Sequence, residues 1–138
     1  FFIFPLFFQQ LTFSFQFIQY RPLSCVLIYM KKIEIIELPK IYDPRGCLTV
    51  AEESSHIPFE IKKVEWKHIG IIHSDAPMEL EHCSMMLIAL AGEITIQIME
   101  EGTLRLTRPN QALILREACK SSIIDSTEHS LLLTIHQK

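Results

Sequence analysis

From residue 30 to the end of the chain, short apolar runs recur about every ten residues and are separated by turn residues. Several runs alternate apolar and polar side chains, which is the period of a β-strand, and none shows helical periodicity bounded by caps. Even spacing without intervening helices predicts an all-β fold, an antiparallel sandwich or small barrel of the jelly-roll type. The predicted strands span residues 33–38, 47–51, 59–72 (one long strand or two joined by a bulge), 85–90, 94–99, 104–106, 112–115, 122–124 and 131–135.

Turn chemistry marks three reversals between these strands. Residues 42–46 hold Pro44, which fixes its own φ, followed by Gly46, which accepts a positive φ. Residues 100–103 predict a hairpin turn with Gly102 in the left-handed conformation. At residues 91–92 two apolar strands are predicted to fold back on each other.

The first 29 of the 138 residues differ in composition from the rest, because they contain eight of the nine Phe and a single charge, Arg21. Pro5 and four Gln interrupt every window long enough to span a membrane, and the late first charge fits a signal peptide poorly. We therefore expect residues 1–29 to be a non-native or disordered upstream extension. Residues 30–138 are predicted to form one domain that begins at Met30.

The charge of residues 30–138 excludes one class of partner. Without Arg21, 12 of the 13 Lys and Arg face 16 Asp and Glu, a net charge of −4, so no basic surface for nucleic acid is expected. The four Cys are widely separated and form no C-x-x-C pair. Reduced thiols in a cytoplasmic protein, not bound to a membrane, are the simplest interpretation.

The histidines offer candidates for proton transfer rather than for metal binding. A metal site in such a fold commonly uses two His two residues apart, and this chain contains no His-x-His, so no metal and no cofactor are predicted. His82, which follows Glu81, is the best candidate for a general base, with a solvated strand histidine as the alternative. Cys83 has no visible orienting group that would make it a nucleophile.

Arg45 lies on the tight turn at residues 42–46, where its planar guanidinium could hold a phosphate through two hydrogen bonds. The alternative is a solvent-facing ion pair with Asp43. Spacing alone leaves both interpretations open.

The runs YDPRGCLTVAEE (42–53), HIPFEIKKV (56–64) and LIALAG (87–92) resemble the nucleotide-sugar 3,4-ketoisomerases, the WxcM-like or FdtA-like cupins. The resemblance implies a double-stranded β-helix, usually a homodimer, that binds a dTDP-linked 4-keto-6-deoxyhexose. It also implies transfer of the keto group from C4 to C3 through an enediol, without metal, in the biosynthesis of surface polysaccharides. Arg45 would then be a candidate for binding the phosphates of the nucleotide.

The chain departs from this family at the positions that carry the chemistry. The family's catalytic His-x-His pair falls on Met78 and Leu80, and neither side chain can carry a proton. The family's Tyr-Tyr is replaced here by Glu65 and Trp66. Trp66 and His68, which share one parity of their predicted strand, are predicted substrate-binding residues. We expect a degenerate site that binds a nucleotide sugar or has no catalytic role. The alternatives are an active isomerase with a substituted base such as His82, and an interaction module without a ligand.

Overall fold

The computed structural model describes residues 32–116 and 119–138, and these residues form strands and no helix. The expectation for residues 1–29 concerns a part of the chain outside this range. None of the described residues form a helix that could span a membrane. The strands are β1 (Ile33–Glu37), β2 (Lys40–Asp43), β3 (Gly46–Thr49), β4 (Ile61–Ile69), β5 (Met78–Glu79), β6 (Met85–Ala91), β7 (Ile94–Ile98), β8 (Gly102–Leu106), β9 (Gln111–Leu115), β10 (Ser121–Ser126) and β11 (Ser130–Gln137).

The strands form two main antiparallel sheets. A five-stranded sheet has the order β1-β9-β6-β11-β4, and a four-stranded sheet has the order β5-β10-β7-β8. Strands β2 and β3 pair only with each other, as a separate hairpin. This all-β architecture confirms the predicted jelly-roll sandwich.

The centre of the five-stranded sheet is buried on both faces, which explains the continuous apolar run at the start of β6. Met85, Leu87 and Ala89 pack between the two sheets with residues such as Ile96 of β7. Met86 and Ile88 point to the other face, where they pack with Leu38 and Ile57. Because neighbouring strand residues face opposite ways, a strand covered on both sides must be apolar at every position.

All nine predicted strands are present; the structure differs from the prediction at one reversal and in two additional strands, β2 and β5. The reversal at residues 91–92 does not join a hairpin, because β6 and β7 belong to different sheets and the turn carries the chain between them. Strand β2 precedes the turn at residues 42–46 and was not predicted from the sequence. Its apolar residues Ile41 and Tyr42 are exposed rather than packed in a core. The segment 59–72 was predicted to form one long strand or two joined by a bulge, and it contains one long strand, β4.

Candidate functional site

A narrow cleft opens between the edge of the five-stranded sheet and β5, and its volume is about 70 Å³. Its lining combines apolar and ionisable side chains: Glu65, Lys67, Met78, Glu79, Leu80, Glu81, Met85, Leu132, Thr134 and His136.

Met78 and Leu80, at the positions expected for the histidine pair, form the apolar wall of this cleft. Met78 pairs with Ile123 in the ladder between β5 and β10, and the Leu80 amide donates a 3.0 Å hydrogen bond to the carbonyl of Ser121. Both side chains are half-buried against the core between the sheets. A thioether and an isobutyl group provide no proton donor or general base at this wall.

His136 is the buried ionisable group of the cleft, with a side chain that is 5% exposed. It shares the inward face of β11 with Leu132 and Thr134, because these residues alternate along the strand. Its Nε2 lies 2.9 Å from an oxygen of Glu65, on the neighbouring strand β4. Since a carboxylate only accepts, Nε2 carries the proton and donates this bond. The bond, with help from Lys63, lowers the pKa of the Glu65 carboxyl.

The other ring nitrogen of His136 faces a thiol and a second carboxylate. Nδ1 lies 3.4 Å from Sγ of Cys83 and 3.6 Å from an oxygen of Glu81. Burial, and then the charge of Glu81, raises the pKa of the Cys83 thiol. Lys63 lies 3.3 Å from Glu65 and 3.8 Å from Glu81, so one ammonium group contacts both acids.

Glu81, Cys83 and His136 therefore present an oxygen, a sulfur and a nitrogen that all lie within 4.8 Å of one another. These are donor types that bind Zn²⁺ in proteins. The expectation of no metal site rested on the absence of His-x-His, and sequence spacing could not show this convergence.

The structure places His82, the predicted general base, on the surface between β5 and β6. His82 does not line the cleft, although its neighbours in sequence, Glu81 and Cys83, lie near it. Among the histidines of the described residues, it is therefore the buried His136, and not His82, that lines the cleft.

Trp66 and His68, the predicted substrate-binding pair, share one face of β4, as their parity predicts. That face is opposite to the cleft, because Glu65 and Lys67 occupy the cleft side of the strand. The Trp66 side chain is 67% exposed.

Arg45 lies on the turn of the β2–β3 hairpin and pairs with Asp43. Its Nε and Nη2 donate to the two carboxylate oxygens of Asp43 at 3.0 and 3.3 Å. This bidentate pair lowers the pKa of the Asp43 carboxyl. The geometry is that of the ion pair considered as the alternative to phosphate binding, and Arg45 does not line the cleft.

His136 and Glu65 were not predicted as residues of the candidate site, because they are far apart in the chain. The signal that could have found His136 was the alternation of residues 130–137, in which a histidine continues the inward series of Leu132 and Thr134. Glu65 then follows from the pairing of β11 with β4.

The comparisons with known proteins agree with this fold. The chain is similar to a QdtA 3,4-ketoisomerase double mutant from Thermoanaerobacterium thermosaccharolyticum in complex with TDP, with 27% identity, a TM-score of 0.69, and coverage of 79% of this chain and 82% of that chain. It is also similar to a QdtA mutant from the same organism in complex with TDP-4-keto-6-deoxyglucose, with 26% identity, a TM-score of 0.65, and coverage of 79% and 82%.

A third solved structure shows the shared fold at lower identity. It is the WlaRB TDP-quinovose 3,4-ketoisomerase from Campylobacter jejuni, with 24% identity, a TM-score of 0.68, and coverage of 79% of this chain and 87% of that chain. No curated protein sequence matches this chain. The family model "FdtA: WxcM-like, C-terminal" matches residues 31–138. The chain therefore belongs to the FdtA/WxcM-like family and is related to the dTDP-sugar 3,4-ketoisomerases, which share its cupin-type fold.

Proposed function

We propose that this protein binds a dTDP-linked deoxysugar without catalysing 3,4-isomerisation by the histidine-pair mechanism. The observation that carries this proposal is the apolar wall of the cleft, where Met78 and Leu80 occupy the positions of the expected histidine pair. Loss of one catalytic acid or base typically costs about 10²-fold to 10⁴-fold in rate.

The size of the cleft supports binding at its mouth rather than reaction in its interior. Small-molecule sites usually measure about 300–1,000 Å³, and this cleft measures about 70 Å³. A hexose ring is too large for it, so the sugar would rest against Glu79 and Lys67 at the opening. The ammonium group of Lys67 is available at the mouth to contact a phosphate.

Nucleotide binding is supported by the related QdtA structures, which contain TDP. Arg45, Trp66 and His68 remain proposed contacts for the nucleotide. Since Trp66 and His68 face away from the cleft of their own chain, they would contact a ligand on the outer face of β4 or at a homodimer interface. A cytoplasmic homodimer that acts in surface-polysaccharide sugar metabolism is part of the same proposal.

The test combines a binding measurement with an exchange measurement. Titration with dTDP should show saturable binding, and incubation with dTDP-4-keto-6-deoxyglucose in D₂O should leave deuterium at C3 at the level of a protein-free control. Lys67→Ala should weaken dTDP binding about tenfold or more, the value of one charge-assisted hydrogen bond. Arg108→Ala, which removes an exposed ion pair with Glu37, is the matched control and should bind as the unchanged protein does. Absence of dTDP binding would contradict the proposal and favour an interaction module.

A second function, an isomerase with a substituted base, is favoured by one observation. His136 lines the cleft and is oriented by Glu65, so it meets the geometric requirement of a general base better than exposed His82 does. Enzymatic deuterium incorporation at C3 that is lost in His136→Asn but kept in His82→Ala would establish this function. The same incorporation lost only in His82→Ala would instead identify His82 as the base.

A further inference from the structure

The cluster formed by Glu81, Cys83 and His136 combines three kinds of donor atom in one place. Two of its contacts are explained by hydrogen bonding, because His136 Nε2 donates to Glu65 and Nδ1 is within reach of the Cys83 thiol. The Glu81 oxygen, at 3.6 Å from Nδ1, is too distant for a hydrogen bond. With the proton on Nε2, Nδ1 and the Glu81 oxygen are both electron-pair donors, and both lie within 4.8 Å of the Cys83 sulfur.

Two of the three separations between the donor atoms match those around a tetrahedral Zn²⁺ ion. Zn–S bonds of about 2.3 Å and Zn–N bonds of about 2.0–2.1 Å place the sulfur and nitrogen roughly 3.5 Å apart, and oxygen and nitrogen roughly 3.4 Å apart. The observed separations are 3.4 Å for Cys83 Sγ to His136 Nδ1 and 3.6 Å for Glu81 to the same nitrogen. The third separation, between the Glu81 oxygen and the Cys83 sulfur, is at most 4.8 Å, so a movement of the exposed Glu81 side chain would let all three atoms share one ion.

We propose that Glu81, Cys83 and His136 form a three-ligand Zn²⁺ site whose fourth coordination position opens into the cleft. Glu65 is the positioning residue, since its hydrogen bond fixes the imidazole with Nδ1 toward the metal. Carboxylate partners of this kind are usual behind metal-binding histidines. Three protein ligands with one open position are the arrangement of Zn²⁺ sites that hold water or a ligand oxygen.

The local charges favour a divalent cation. A metal-bound Cys83 is a thiolate, so with Glu65 and Glu81 the cluster carries three negative charges. Lys63, which contacts both carboxylates, supplies one positive charge. Lys62, whose charge also acts on Cys83, adds a second positive charge, so the cluster keeps a net negative charge that attracts a divalent cation. The sulfur and imidazole ligands favour Zn²⁺ over Mg²⁺ or Ca²⁺, which prefer oxygen ligands.

This site does not rest on the proposed nucleotide binding, and its test uses no nucleotide. The full chain, stripped with a chelator, is titrated with Zn²⁺ against a chromophoric competitor, and separately with Co²⁺ as an optical probe. We expect one Zn²⁺ per chain with a Kd on the order of 1 μM or tighter. We also expect a thiolate-to-cobalt charge-transfer band, which only a cysteine ligand produces.

Substitutions distinguish the proposed metal ligands from residues that do not bind the metal. Cys83→Ser should abolish the charge-transfer band and weaken Zn²⁺ binding at least 100-fold, whereas Cys47→Ser, at an exposed cysteine, should change neither. Glu81→Gln, on the surface, should also weaken binding while leaving the fold intact. Glu65→Gln should weaken binding about 10-fold to 100-fold through the orientation of His136. A Kd weaker than about 100 μM for the unchanged chain, or a band that survives in Cys83→Ser, would overturn the proposal.

Discussion

Among the glycines, Gly92, between β6 and β7, is the position where an added methyl group is expected to have the largest effect. Its φ of +71° is in the left-handed region, which costs an L-residue about 1–2 kcal/mol. A Cβ at this position would overlap Oγ of Ser130, and it would lie 2.7 Å from Oγ1 of Thr127 and 3.0 Å from the Ser130 Cα. The backbone atom cannot rotate away as a side chain can.

The overlap falls on a bonded network, so relief of the clash breaks other contacts. Ser130 Oγ donates to the carbonyl of Thr127 at 2.7 Å, and the Glu93 amide donates to Thr127 Oγ1 at 2.9 Å. Overpacking of this kind costs about 1–3 kcal/mol. Together with the backbone term, Gly92→Ala should lower the free energy of unfolding by about 2–5 kcal/mol, a large part of the total of about 5–15 kcal/mol for a domain of this size.

Urea unfolding followed by circular dichroism measures this loss as a lower midpoint at unchanged slope. The matched control is Gly70→Ala, because no atom lies within 4 Å of its added Cβ and its φ is not in the left-handed region. That variant should lie within about 1 kcal/mol of the unchanged protein. In a Ser130→Ala background, the additional cost of Gly92→Ala should fall by about 1–2 kcal/mol, since the overlapping oxygen is gone. If Gly92→Ala and Gly70→Ala unfold at the same urea concentration, the close approach of the turn to Ser130 is refuted.

Two further predictions concern the ionisable groups of the surface and of the cleft. The Arg45 hydrogen bonds lower the pKa of Asp43, so the stabilisation from this pair is present above the unfolded-state value near 3.8 and is lost as pH falls through the folded-state pKa. An NMR titration should show the Asp43 midpoint below 3.8, and Arg45→Ala should return it toward that value. A midpoint that does not change in Arg45→Ala would contradict the pairing. In the metal-free chain, Cys47 should react with a disulfide reagent at pH 7.5 at least about tenfold faster than Cys83, because Cys47 is exposed whereas burial raises the pKa of the Cys83 thiol. Residue-resolved mass spectrometry measures the two rates. Equal rates would show that Cys83 is not shielded.

The strands of the core could be predicted from the sequence, whereas their assignment to sheets could not. The apolar runs at residues 85–90 and 112–115 identify strands wherever they pack, because only burial tolerates them. Nothing in those runs states that β6 pairs with β9 and β11 while β7 joins the other sheet. That choice depends on the summed packing of distant segments.

The candidate site could likewise be predicted from the sequence only in part. The prediction that the family's histidine pair falls on Met78 and Leu80 comes from the resemblance, and the structure places both residues at the cleft. The face of β4 that points to the cleft was harder to predict, because polar residues occupy both faces of this strand. Lys67, rather than Trp66, lines the cleft. The contact of His136 with Glu65 arises from the register of β11 on β4, which no local pattern specifies.

The β2–β3 hairpin has a consequence for how the molecule moves. It shares no ladder hydrogen bonds with either main sheet, and an isolated pair of strands is marginal in water. Its amide protons can therefore exchange with solvent through a local opening that leaves the sandwich intact, at a small fraction of the global unfolding energy. We therefore expect a change of conformation in the segment that carries Arg45 to cost the rest of the domain little.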